Sequence, residues 1–180
     1  MTQDLPTYAL IFVKGTETSK SEWASHSPAF GAIVRIPDVA TGEIREFHLS
    51  AIVPEADAKT YRSSIHGLLA ALQFVADQGH HGAIAIRTDQ PGLRAGAHNR
   101  LAATWQLTNW TSSQRKPVPN TDLWERFLLL TDGKDIRAPA MARARETNML
   151  RCLGLADAAG RAGVIGLSVT EVQQPMRQIA

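Results

Sequence analysis

NWTSSQRKPVPNTDLW, residues 109–124, is a polar and basic segment that ends at the start of a helix. Two prolines restrict the backbone before that helix, and Asn120 or Thr121 can cap its first free N–H groups. Asp122 follows in the first turn, where the positive end of the helix dipole favours an acidic side chain. The segment therefore predicts a cationic loop followed by a helix over residues 123–130.

The hydrophobic pattern on either side of this segment predicts an alternation of strands and helices. Residues 8–13, YALIFV, form a continuous apolar run, as expected of a strand that is buried on both faces. Over residues 57–78 the apolar positions recur at steps of three and four, which predicts an amphipathic helix. The predicted strands are residues 8–13, 30–36, 44–53, 83–88 and an edge strand at 136–138. The predicted helices are residues 57–78, 93–107, 123–130 and 148–162.

The composition is that of an ordinary globular chain with a weak positive charge. Its 180 residues, 44% of them hydrophobic, are most simply one domain. A formal net charge of +2 permits nucleic-acid binding without requiring it. Cys152 is the single cysteine, the first residues do not resemble a signal peptide, and no apolar run approaches the roughly 20 residues of a membrane span. We therefore expect a cytoplasmic protein with no membrane partner.

Residues 116–124, KPVPNTDLW, resemble bacterial type 1 ribonuclease H, in which Lys-Pro-Val and Asn-x-Asp-Leu-Trp lead into the fourth helix. Further matches to that family are Phe30-Gly31-Ala32-Ile33, Arg87-Thr88-Asp89, and Arg151-Cys152 with Leu155-Ala156. The resemblance implies a ribonuclease H-like α/β fold, with a five-stranded mixed sheet whose first three strands are antiparallel and with helices on both faces. It implies one domain over residues 7–163, between an N-terminal tail (1–6) and a C-terminal extension (164–180).

The resemblance also implies a metal site, most of whose ligands this chain lacks. Ribonucleases H cut the RNA strand of an RNA–DNA hybrid with two Mg²⁺ ions, which four carboxylates hold because Mg²⁺ prefers oxygen ligands. Of the four acidic positions only Asp89 is retained, and Lys14, His66 and Leu153 occupy the other three. Two unit charges about 4 Å apart interact by roughly 4 kcal/mol at an effective dielectric of 20, so Lys14 would repel a metal ion. We therefore expect no metal or other cofactor, and a catalytically impaired protein.

The chain could still hold a metal ion if its acidic ligands lay at other positions than those of the family. Asp157 lies one helical turn after Leu153, and Glu17 lies just after the first strand. Together with Asp89 they could form a relocated Mg²⁺ or Mn²⁺ site in a divergent ribonuclease H that still cuts hybrids. Solvent-exposed positions are the alternative for Glu17 and Asp157, and the sequence favours that alternative. Whether the protein is an enzyme is left open at this point.

The expected cleft is basic where the family's is acidic. Lys14 and Asp89 should lie side by side, because the strands that precede them are neighbours in the family's sheet. They would form either a self-sufficient ion pair, which we favour, or part of a cationic phosphate site. Arg143 and Arg145 fall in the loop where the family carries a flexible histidine.

The family's basic handle corresponds here to a segment that includes Trp110, Arg115 and Lys116. It carries fewer cations than is usual in the family, which predicts weaker binding because fewer counterions are released. We expect a nucleic-acid partner, an RNA–DNA hybrid or another duplex, that is bound weakly. A protein-interaction module that uses the cleft or residues 163–180 is a further alternative.

Overall fold

The computed structural model describes residues 8–20, 25–38, 40–98, 101–138, 140–163 and 165–172. The strands of its main sheet are β1 (Ala9–Gly15), β4 (Ala29–Pro37), β5 (Ile44–Ile52), β6 (Ile84–Arg87), β7 (Ile136–Arg137) and β8 (Ser168–Val172). A separate two-stranded ribbon consists of β2 (Ser19–Lys20) and β3 (Ser25–His26). The helices are α1 (Thr60–Asp77), α2 (Pro91–Ala97), α3 (Leu101–Leu107), α4 (Thr121–Thr131) and α5 (Thr147–Ala162). In space the main sheet runs β7-β6-β1-β4-β5-β8.

The register of the sheet brings the ends of β1 and β6 together. β1, β4 and β5 form the expected antiparallel meander, while β6 runs parallel to β1. Phe12 of β1 lies opposite Arg87 of β6. Lys14 and Asp89 each follow two residues later, so both side chains come to the same end of the sheet.

The two faces of the sheet are covered by different helices. α1 buries Ile65 and Leu68 in the larger cluster, together with inward-facing residues of β1, β4 and β5. On the opposite face, Phe12 and Ile33 pack with Met149 of α5. A fully buried leucine or isoleucine contributes about 1.5–3 kcal/mol relative to an exposed one, so these contacts hold the helices on the sheet.

A buried carboxylate also fixes α5 on the sheet. Glu46 of β5 is 3% exposed. Its Oε2 accepts a hydrogen bond from Nε of Arg35 at 2.7 Å, and its Oε1 contacts the guanidinium of Arg151 and lies 2.9 Å from Nε2 of His48. Burial acts to raise the pKa of Glu46, but the hydrogen bonds from Arg151, Arg35 and His48 outweigh it and lower the pKa to about 2.

Several sequence predictions need correction. The sheet has six strands rather than five, because residues 168–172 of the expected extension form β8, which pairs antiparallel with β5. The helix predicted over 93–107 is divided into α2 and α3. Residues 1–6 lie outside the described part of the chain, so the predicted tail stays a prediction. Among the described helices, none is long and apolar enough to span a membrane.

Candidate nucleic-acid site at the ends of β1 and β6

The expected contact between Lys14 and Asp89 is present. The Lys14 ammonium donates to Oδ2 of Asp89, and the side chains are 13% and 9% exposed. Oδ1 of Asp89 is buried and has no hydrogen-bond partner among the described residues. The position where the resemblance implies the first acid thus carries a cation, and this cation binds the acid that the resemblance implies is retained.

The last helix reaches the same pair. Gly31 of β4 is the register partner of Lys14, and a Cβ at Gly31 would collide with the carbonyl oxygen of Cys152. Burial raises the pKa of the Cys152 thiol to about 12, while the nearby charge of Lys14 lowers it and that of Asp89 raises it. These contacts place the segment of α5 that carries Leu153 beside the ion pair. The leucine side chain supplies no oxygen there.

His66 is directed towards a different acid. Its Nε2 lies 3.0 Å from Oε2 of Glu55, although the angles do not satisfy a hydrogen bond. Burial lowers the pKa of His66, and the attraction of Glu55 offsets this only in part. Burial raises the pKa of Glu55, but the hydrogen bonds from Arg62 outweigh it, and the net pKa is lowered. At neutral pH the contact therefore joins a neutral imidazole to a carboxylate that Arg62 already holds.

The side chains at this end of the sheet do not fit a pair of Mg²⁺ ions. Nowhere in the described residues do three or more His, Cys, Asp or Glu side chains form a group that could hold a metal ion. The alternative set of Glu17, Asp89 and Asp157 is therefore not assembled. Glu17 is half-exposed and lies 3.9 Å from the ammonium of Lys59.

Two exposed arginines lie in a loop that is attached beside the ion pair. Arg143 and Arg145 lie in the loop before α5, and both are exposed. The backbone N–H of Ala142 donates to the carbonyl of Thr88 at 3.0 Å, directly before Asp89 in the chain. Arg87 and Glu146 form a second attachment at 3.0 Å. The loop is thereby fixed to the end of β6, which keeps the backbone of both arginines near the ion pair.

The segment that was expected to act as a handle is a short hairpin. Its backbone is closed by Ser112 N–H to Lys116 O at 2.9 Å and by Val118 N–H to Trp110 O at 2.8 Å. Arg115 and Lys116 are exposed at its tip. Trp110 is partly buried and packs against the core, so it supports the hairpin.

Arg62 is the centre of a polar cluster that was not predicted from the sequence. Its guanidinium binds Glu55 at 2.6 Å, Asp122 at 2.7 Å and the side-chain oxygen of Asn120 at 3.1 Å. Asn120 stands at the N-cap position of α4, but its side chain does not cap the helix. A surface pocket of about 430 Å³ lies here, and its lining includes Lys59. No local signal predicts this cluster, because Arg62 and Asp122 are 60 positions apart.

The chain is similar in sequence to known proteins, although no family model matches it. Ribonuclease H of Nitratidesulfovibrio vulgaris (strain Miyazaki F) is 31% identical over 70 residues, which are 39% of this chain and 45% of that protein. Ribonuclease H of Jannaschia sp. (strain CCS1) is 32% identical over 98 residues, 54% of this chain and 58% of that protein. The chain thus matches about half the length of these relatives.

Solved structures agree with the fold. LC9-RNase H1, described as a type 1 RNase H with the type 2 active-site motif, superposes with a TM-score of 0.67 and 15% identity, covering 91% of this chain and 78% of that chain. The foamy viral protease-reverse transcriptase in complex with RNA/DNA hybrid gives a TM-score of 0.62 at 16% identity, covering 90% and 21%. The fold of the chain is therefore ribonuclease H-like. The relatives that it matches in sequence are bacterial ribonucleases H.

Proposed function

We propose that this ribonuclease H-like protein binds RNA–DNA hybrid or another nucleic-acid duplex without cutting it. The observation that carries the proposal is the Lys14–Asp89 ion pair. It stands where the resemblance to ribonuclease H implies two carboxylates that hold metal ions, and it lies beside a loop with two exposed arginines. The arrangement favours a phosphate backbone as ligand and disfavours divalent cations.

The charges at the site explain why cleavage is not expected. The ammonium of Lys14 satisfies one oxygen of Asp89 and would repel a dication that approaches the other. The Leu153 side chain has no atom that could bind a metal ion, and the His66 side chain faces Glu55. Two-metal hydrolysis needs both ions to stabilise the attacking and the leaving oxygen, and these side chains do not provide the ligands.

The cations that remain are suited to phosphate contacts. Arg143 and Arg145 are exposed, and the loop that carries them is attached to Thr88, so their backbone is held beside the ion pair. Arginine forms paired hydrogen bonds with phosphate oxygens, which makes it effective even where few cations are present. Arg115 and Lys116 form a second exposed group at the tip of the hairpin.

The structural relatives support a nucleic-acid ligand. The foamy viral protease-reverse transcriptase has been solved in complex with dsDNA and with RNA/DNA hybrid, and its structure resembles this chain over nine-tenths of the chain's length.

We also propose that the protein is cytoplasmic, because a buried unpaired thiol such as that of Cys152 stays reduced in that compartment.

Fluorescence anisotropy with a labelled RNA–DNA hybrid tests the proposal. The Arg143→Ala/Arg145→Ala variant should bind more weakly, and the slope of log K against log salt should fall by up to about 2, because two phosphate contacts are lost. The charge-matched control is Lys134→Ala/Arg137→Ala. Lys134 precedes β7 and Arg137 lies in it, so both are beside the first half of β6, away from the end that Asp89 follows. Equal losses in the two variants would contradict a site at the cleft.

The hairpin is tested separately. Replacing Arg115 and Lys116 with alanine should lower the same salt slope by up to about 2, because both side chains are free at the tip. If binding of the hybrid is unchanged in this variant, the hairpin does not contact the nucleic acid, and the cleft arginines carry the binding alone.

A further inference from the structure

Glu146 connects the loop before α5 to β6. Its carboxylate accepts hydrogen bonds from Nη2 of Arg87, which lies 3.0 Å from Oε2 and 3.4 Å from Oε1. Both side chains are 30% exposed, so the pair is partly shielded from water. Arg87 lies in β6 two residues before Asp89, and its register partner is Phe12, on the face of the sheet that α5 covers. The contact therefore joins the start of α5 to the strand that leads to the ion pair.

The same carboxylate also closes the turn that carries the exposed arginines. The backbone N–H of Arg143 donates to Oε2 of Glu146 at 3.4 Å. In return, the backbone N–H of Glu146 donates to the carbonyl oxygen of Arg143 at 2.9 Å. Arg145 lies inside this turn. Removing the Glu146 side chain would break the attachment to Arg87 and one of the two hydrogen bonds of the turn.

We propose that Glu146 is a positioning residue for the bound duplex, a role that rests on the proposed nucleic-acid function. It acts through the backbone that carries Arg143 and Arg145 and does not itself contact the phosphates. A carboxylate repels phosphate, so a free acid beside the cleft would weaken binding. Here Arg87 offsets the charge of Glu146, and the effect that remains is to hold the turn. Because the loop is ordered before the duplex arrives, less conformational entropy is lost on binding.

Two substitutions of Glu146 that change the charge equally test this role. Glu146→Ala and Glu146→Gln each remove one negative charge, and by charge alone both should strengthen binding of the RNA–DNA hybrid. The positioning role predicts the opposite for alanine, a loss of affinity of about three- to tenfold in fluorescence anisotropy, because the loop must then be ordered on binding. Glutamine keeps an oxygen that can accept from Arg87, so its affinity should fall less.

Two results would overturn the positioning role directly. One is an alanine variant that binds the hybrid as tightly as the unmodified chain does. The other is equal affinity of the alanine and glutamine variants, because the contact that glutamine keeps would then be without effect.

The Arg143→Ala/Arg145→Ala variant separates positioning from a general loss of structure. In that background Glu146→Ala should cause no further loss of affinity, because the side chains that Glu146 positions are gone. An equal loss in both backgrounds would mean that alanine disturbs the fold as a whole, and it would overturn the positioning role.

The same measurements distinguish this role from the proposed function. Absence of hybrid binding by the unmodified chain would overturn both. Binding that needs Arg143 and Arg145 but tolerates Glu146→Ala would overturn the positioning role alone.

Discussion

Replacing Lys14 with methionine removes the ammonium group but keeps an unbranched side chain of similar length. The Asp89 carboxylate then loses the partner of its Oδ2, while its Oδ1 already lacks a partner among the described residues. Because the two side chains are only 13% and 9% exposed, water can replace the lost contact only in part. Removing one partner of a buried pair typically costs about 3–5 kcal/mol, which sets the scale.

The unfolding free energy of Lys14→Met should therefore fall by about 3 kcal/mol, the lower end of that range, because the two side chains keep some contact with water.

Urea unfolding followed by circular dichroism at pH 7 measures this loss. Lys59→Met is the matched control, because Lys59 is 81% exposed and lies 3.9 Å from Glu17, so its loss should cost under about 1 kcal/mol. The double variant Lys14→Met/Asp89→Asn should recover part of the loss, since no buried charge is then left unpaired. The reasoning is refuted if Lys14→Met costs no more than the control.

Further expectations concern the metal ligands, the clamp on α5 and the cysteine. The triple variant Lys14→Asp/His66→Glu/Leu153→Asp should gain thermal stability from millimolar Mg²⁺ while the unmodified chain gains none, because a metal that binds only the folded state stabilises it; an equal gain in both would contradict the assignment of these positions. Glu46 has its pKa lowered to about 2 in the folded state, so its contribution is complete above an unfolded value of 4.5 and is lost as the pH falls through about 2. Acid titration of the unfolding free energy should show that loss, and Glu46→Gln should remove it. The Cys152 thiol, with its pKa raised to about 12, should resist iodoacetamide in the folded protein and react only after denaturation, as followed by mass spectrometry.

Much of the fold could be predicted because local signals agree with it. The run YALIFV predicted a buried strand, and β1 is covered on both faces. The meander and the parallel pairing of β1 with β6 follow the order implied by the resemblance. The sixth strand was not predicted, because β8 is mostly exposed and its pattern carries little information. Its place beside β5 depends on a long-range pairing that no local signal reports.

Some contacts of the candidate site could be predicted from the sequence, and others could not. The contact between Lys14 and Asp89 followed from the adjacency of two strands, a property of topology that a family resemblance can supply. The direction of the His66 side chain could not be foreseen, because it depends on Glu55, a loop residue fixed by Arg62. Asn120 correctly indicated the start of a helix. Its side chain, however, accepts a hydrogen bond from the Arg62 guanidinium and does not cap the helix.

The most direct test of the central claim follows binding and cleavage in one sample. A labelled RNA–DNA hybrid is incubated with the protein in millimolar Mg²⁺, and anisotropy and gel electrophoresis are recorded together. We expect a bound but intact hybrid, with the same affinity after the Mg²⁺ is removed by a chelator, because Lys14 already provides the cation at Asp89. Mg²⁺-dependent cleavage that disappears in the Asp89→Asn variant would contradict the account.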